Sequence, residues 1–115
     1  MLERHEQAKT MTLADYRGWL KERTGVRALY AELADTCDAC VTLSAPGPAP
    51  QGLQSTGSPQ FAVPFSLLGV PAVSLPLFMV DGMPLGLQVL GYANADATVF
   101  ATAAWLMAHL GGERE

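Results

Sequence analysis

Apolar positions in this chain follow a helical period at both ends and a strand-like pattern between them. From residue 12 to residue 35, Leu13, Tyr16, Leu20, Val26, Tyr30 and Leu33 recur near every 3.6 residues, while Arg17, Lys21, Arg23 and Arg27 fall largely off that stripe. This pattern predicts one long helix or two abutting ones, with the stripe docked on a core and the basic residues solvated. Thr12 with Asp15 three places later reads as a capping-box start, with Asp in the usual place of Glu or Gln. Gly25 is the weak interior position, because glycine has the most backbone freedom to lose. Residues 39–43 (Ala-Cys-Val-Thr-Leu) are a short apolar run with β-branched members, and the breaker series from Ser44 to Gly52 follows at once. A buried strand entering a loop fits both facts. The loop runs to about Gln60, and loops of this length in compact domains are usually functional or disordered. Residues 61–68 have room for one or two helical turns ending at Gly69.

Residues 71–80 and 85–91 are apolar on both faces apart from Ser74 and Gln88, and they flank Asp81-Gly82. Asp-Gly between two such arms is a strong hairpin signal, because a two-residue turn of the required hand needs positive φ at both positions. Arms without a polar face call for layers above and below them. A final helix is expected from a cap at Asn94 or Asp96, through Val99, Phe100, Ala103, Leu106, Met107 and Leu110, to Gly111-Gly112. Its small-residue face of Ala97, Ala101, Ala104 and Ala108 would permit close packing on the sheet. The inventory is α/β, about three helices and three strands with an antiparallel hairpin at 71–91, between an N-terminal tail (1–11) and a C-terminal tail (111–115). So few helices leave two-faced strands under-covered.

Charge sharpens that point. Of 18 charged residues, 13 lie in the first 38 positions, and the 72 residues from 39 to 110 carry only Asp81 and Asp96. Soluble surfaces normally intersperse charge, so this tract suits the inside of something larger. Phe61 to Val80 is long enough to cross a bilayer, but Pro64, Pro71 and Pro76 would break such a helix repeatedly. The net charge of −4 without a Lys/Arg cluster argues against nucleic acid and acidic membranes as partners. The first residues lack the basic-then-apolar order of a signal peptide, so a cytoplasmic location is expected.

The residues offer little chemistry of their own. Cys37-Asp-Ala-Cys40 has redox or zinc-type spacing. A structural zinc needs four ligands, no second pair exists, and His5 and His109 lie at opposite ends. A thioredoxin-like motif would open a helix, whereas this pair closes one, so two ordinary reduced thiols are expected. His109 reads as a surface histidine at a helix C-terminus. Ser44, Ser55, Ser58, Ser66 and Ser74 have neither a nucleophile elbow nor a Ser-x-x-Lys pairing. Single glycines make no phosphate cradle, and paired carboxylates are lacking. No metal or other cofactor is expected.

The block Ser55-Thr-Gly-Ser-Pro-Gln-Phe-Ala-Val-Pro-Phe-Ser-Leu-Leu-Gly-Val-Pro-Ala-Val-Ser-Leu-Pro-Leu, followed by Asp81-Gly-Met-Pro-Leu-Gly-Leu-Gln-Val-Leu-Gly91, resembles the C-terminal part of the amidase signature family. Cys37-Asp-Ala-Cys-Val-Thr-Leu-Ser-Ala-Pro-Gly-Pro-Ala-Pro50 is similar to the family's strand and Pro-rich loop just upstream. The resemblance spans about residues 12–110 and implies an incomplete domain, the C-terminal part of a mixed sheet with flanking helices. It implies, for the parent enzyme, carboxamide hydrolysis by a Ser-cisSer-Lys triad, in which serine attacks the carbonyl and backbone amides hold the oxyanion. The triad lies upstream of the matched region, so no residue here takes any of its roles. The resemblance places Ser44, Ala45, Pro46 and Phe61 toward the substrate pocket. The expected function is a C-terminal amidase fragment, inactive alone, whose partner is an upstream amidase fragment or a second copy meeting the apolar sheet. The alternative is a non-catalytic domain that docks through that sheet.

Overall fold

The computed structural model describes residues 2–111, and of residues 2–4 and 7 only the helical backbone. Helix α1 (Leu2–Thr10) is followed by α2 (Leu13–Ala31), a 3-10 turn (Glu32–Asp35), strand β1 (Cys40–Leu43), helix α3 (Val63–Leu68), strands β2 (Ala72–Val80) and β3 (Met83–Leu90), and helix α4 (Asp96–Leu110). The sheet has the order β1-β3-β2 and is antiparallel throughout. Helix α1, in the segment read as a tail, adds a fourth α-helix to the three expected. Most of the C-terminal tail, residues 112–115, lies outside the described residues.

The start of α2 is the capping box read from the sequence. The Thr12 Oγ1 accepts from the Asp15 backbone N–H at 3.1 Å, and the Asp15 carboxylate accepts from the Thr12 hydroxyl at 2.6 Å and its N–H at 2.9 Å. The Thr12 hydroxyl and then its N–H hold the Asp15 carboxyl below its ordinary value of 3.8. A lowered folded-state pKa stabilises above the unfolded value and loses that contribution as pH falls through the folded one. Helicity followed by circular dichroism is therefore expected to decline below about pH 4 at this end. Thr12→Ala should cost the helix start about 1 kcal/mol and remove that acid step.

The helix runs through Gly25 unbroken, but its apolar stripe does not dock as expected. Leu13, Tyr16, Val26 and Leu33 are exposed, and only Leu20 and Tyr30 of the stripe are half-buried. Arg27, read as solvated, donates from Nε to the Leu67 carbonyl at 2.9 Å and ties α2 to the C-terminal end of α3. No second layer within the described residues lies over the rest of the stripe.

The hairpin forms as read, with Asp81 at φ 51° and Gly82 at φ 74° supplying the two positive-φ positions. The β2–β3 register shifts between Leu75 and Phe78. Pro76 falls in that gap on an edge strand, where the missing ladder N–H is tolerated. Cross-strand pairing puts Val73, Leu75, Leu87 and Val89 on one face, against which α4 packs. Leu75, Val89, Val99 and Ala103 form the cluster between sheet and helix, all at or below 5% exposure, and Leu90 and Tyr92 are buried beside it. On the opposite face Ala72 and Ser74 are exposed while their partners Leu90 and Gln88 are buried, so that face is covered only in part.

Helix α4 corrects two expectations. Its N-cap is Ala95, with no side-chain cap bond, because Asn94 takes a left-handed φ of 62° and Asp96 already belongs to the first turn. The small-residue face of Ala97, Ala101, Ala104 and Ala108 points outward, as do Phe100 and Leu110. Val99 sets the inward face, because its side chain sits directly over Gly91. A Cβ on Gly91 would collide with the Val99 methyl and lie 3.3 Å from the Pro71 ring. Gly91→Ala is accordingly expected to destabilise by about 1–3 kcal/mol, read as a lower urea midpoint at constant slope.

The shape is a slab, 53 × 42 × 17 Å, with a radius of gyration of 17.2 Å where a chain of this length packs to about 13 Å. Its accessible surface of 8695 Å² exceeds the roughly 6,100 Å² of a folded monomer of 12.2 kDa. Trp19, Leu29, Val41, Met79 and Trp105 are among the large apolar side chains left exposed.

Candidate functional site

A cavity of about 410 Å³ opens where β1 runs into the Pro-rich loop. The sequence builds it in three steps. Strand β1 ends by pairing the Ser44 N–H with the Gly86 carbonyl at 2.7 Å. The prolines of residues 46–50 then prevent further ladder formation on their own N–H groups. The loop nevertheless returns to β3 through the Ala49 N–H and Pro84 carbonyl at 2.9 Å. Thr56, Gly57 and Ser58 close the far wall, with Gly57 at φ +83° and its N–H bound to the Ser55 hydroxyl at 3.1 Å.

The lining hydroxyl of Ser44 is held by Ser74, which lies outside the lining. Ser44 Oγ and Ser74 Oγ lie 2.5 Å apart across Gly86. A Cβ at Gly86 would lie 2.5 Å from one oxygen and 2.6 Å from the other, so the pair requires glycine there. The walls are proline, alanine, glycine and leucine, and no lining residue carries an ionisable side chain. Such a pocket can shelter an apolar group and hydrogen-bond a carbonyl or hydroxyl. It has no group to move a proton at neutral pH.

Of the residues singled out in the sequence, Ser44, Ala45 and Pro46 line this cavity together. Phe61 does not: it lies half-buried in the turn before α3, whose Pro59 carbonyl accepts from the Ala62 and Val63 N–H groups. Sequence reasoning missed Gly86 as a lining residue and Ser74 as the group that holds Ser44. Their signal was present in the register, since Ser74 pairs with Gln88 on the hairpin and Gly86 lies two residues before Gln88.

The remaining candidates stay apart. His109 is exposed, stacks on Trp105 at 4.3 Å and bonds through Nδ1 to the Trp105 carbonyl at 2.7 Å. Among the described residues no three metal-ligating side chains come together, and no helix is long and apolar enough to cross a membrane.

No family model matches the chain. It is 35% identical over 109 residues to a fatty acid amide hydrolase of Medicago truncatula, covering 84% of this chain and 18% of that protein. It is 31% identical over 97 residues to the A subunit of a glutamyl-tRNA(Gln) amidotransferase of Clostridium botulinum, covering 78% of this chain and 20% of the relative. Among solved structures, a crystal structure of an amidase superposes with a TM-score of 0.75 at 38% identity, over 88% of this chain and 26% of the other. The chain belongs to the amidase signature family. The A subunit of the glutamyl-tRNA(Gln) amidotransferase of Thermotoga maritima superposes with a TM-score of 0.67 at 25% identity, over 94% of this chain and 26% of that one. The matches to these amidases fall on a C-terminal segment. This chain thus spans about a fifth to a quarter of the length of the amidases it matches.

Proposed function

We propose that this chain is the C-terminal part of an amide-hydrolysing enzyme and is inactive without a polypeptide that carries the Ser-cisSer-Lys triad. The observation that carries the reading is the amidase superposition over 88% of this chain and only 26% of the other, joined to a pocket without any proton-moving group. In the assembled enzyme, Ser44, Ala45 and Pro46 line the acyl side of the substrate pocket, and Phe61 flanks it from the turn before α3. The chain contributes shape and hydroxyl hydrogen bonds there, while the partner polypeptide supplies nucleophile, base and oxyanion donors.

The excess accessible surface supports the same reading, because a slab this thin leaves apolar area that a partner would cover. The partner on this reading is the upstream amidase segment, and the edge strand β2, with Phe78, Met79 and Val80 exposed, is one place for it to join. That same edge favours a second reading, a non-catalytic domain that associates with another protein or with itself. Activity separates the two. Carboxamide hydrolysis by the purified chain alone overturns the first reading, and association with a triad-bearing segment without any gain in hydrolysis favours the second.

A further inference from the structure

The two cysteines converge on one hydroxyl. Cys37 lies just beyond the 3-10 turn and is exposed; Cys40 opens β1 and is half-buried; both are free thiols. The Tyr92 hydroxyl is 3.0 Å from Cys37 Sγ and 3.9 Å from Cys40 Sγ, so the two sulfurs are at most 6.9 Å apart, the sum of those distances. Tyr92 itself is fixed. It is buried, and its ring packs against Tyr30 at a centroid distance of 5.4 Å; the Tyr30 hydroxyl donates to the Gly91 carbonyl at 3.2 Å.

We propose that Cys37 and Cys40 are a reversible thiol–disulfide pair, with Cys37 reacting first and Tyr92 as the positioning residue that steadies its thiolate. A metal is the poorer occupant, because no third ligand-type side chain stands beside the pair among the described residues. The oxidant is a low-molecular-weight disulfide of the glutathione class. The Cys37 thiolate attacks one sulfur of that disulfide; its S–S bond breaks and one small thiolate leaves. A mixed disulfide remains on Cys37. The Cys40 thiolate then attacks Cys37 Sγ, the second small thiolate leaves, and the Cys37–Cys40 bond forms. Two protein thiols are oxidised by two electrons, one small disulfide is reduced to two thiols, and the two protons end on them.

The hydroxyl is suited to this part. The bond with Cys37, and then desolvation, push the Tyr92 pKa well above its ordinary value, so the hydroxyl keeps its proton. It can then donate to the thiolate. Oxidation removes that thiolate acceptor from the Tyr92 hydroxyl.

The test exposes the whole chain to excess oxidised glutathione, with intact mass and free-thiol counts as readouts. Both thiols should disappear together, with the mass lower by two hydrogens and no glutathione retained, and dithiothreitol should restore them. Cys40→Ser should trap one glutathione on Cys37, and faster than Cys37→Ser traps one on Cys40. Tyr92→Phe should slow the Cys37 step about threefold at neutral pH, through loss of the hydroxyl that positions Cys37 Sγ. Denaturant should erase both rate differences. Stable glutathione adducts on the unmutated chain, disulfides between chains, or equal rates for the two serine variants under native conditions would overturn the proposal.

Discussion

Combined with a separately expressed amidase segment that carries the triad and stops where the match to this chain begins, the chain is expected to restore hydrolysis of simple carboxamides that neither piece should perform alone. The expected gain is at least about 10³-fold over either piece, since removing a serine hydrolase's catalytic group costs up to about 10⁶ in turnover. The physical case rests on area. The chain exposes 8695 Å², about 2,600 Å² more than a compact monomer of its mass, and covering such a surface from both sides makes an interface of obligate size. Initial rates on a chromogenic anilide and co-elution on size exclusion check the two halves of the claim. Rates that stay at background while the pieces co-elute would leave the chain as a docking module. A compact monomer that hydrolyses the anilide alone would end the proposal.

Leu90→Ala should lower stability by about 2–5 kcal/mol, the range for truncating a fully buried leucine, where the cost is lost transfer energy plus the cavity that remains. Leu90 is 2% exposed and lies in β3, the central strand, paired with Cys40 on one side and Ala72 on the other. Both of those neighbours are small, so they have no bulk to collapse into the space. With only Leu75, Val89, Leu90, Tyr92, Val99 and Ala103 buried among the described apolar residues, the chain has little reserve against such a loss. Urea titration with an unchanged slope measures it. Leu90→Met, which keeps the volume, should cost less than about 1.5 kcal/mol. If both variants lose equal stability, shape at this position matters more than volume.

What the residues revealed in advance was what local chemistry decides. Thr12 and Asp15 fix a helix start within four residues, and Asp81-Gly82 fixes a turn within two, so both were readable. The face of α4 was not. Its alanines satisfied the spacing for close packing, but Gly91, on a different element, makes room for Val99 and turns the alanines outward. The stripe on α2 was read as core-facing because periodicity reports an apolar face and not what covers it. The pocket was half legible. Ser44, Ala45 and Pro46 are placed toward a pocket by the family resemblance, whereas Gly86 joins them, and Ser74 reaches Ser44, only once β3 is seated between β1 and β2. Phe61 is absent from the lining and lies half-buried in the turn that precedes α3.

The strand order also dictates a timetable. The β2–β3 hairpin has a two-residue turn and can close in about 1–10 μs. Strand β1 pairs only with β3, matching Cys40 to Leu90 across fifty positions of sequence, so it must wait for a long loop to close around the Pro-rich segment. The strand that leaves the ribosome first is therefore the last to join the sheet. Until it does, the open edge of β3 offers unpaired backbone groups beside Val89 and Leu87, and nascent chains should need a chaperone during that interval.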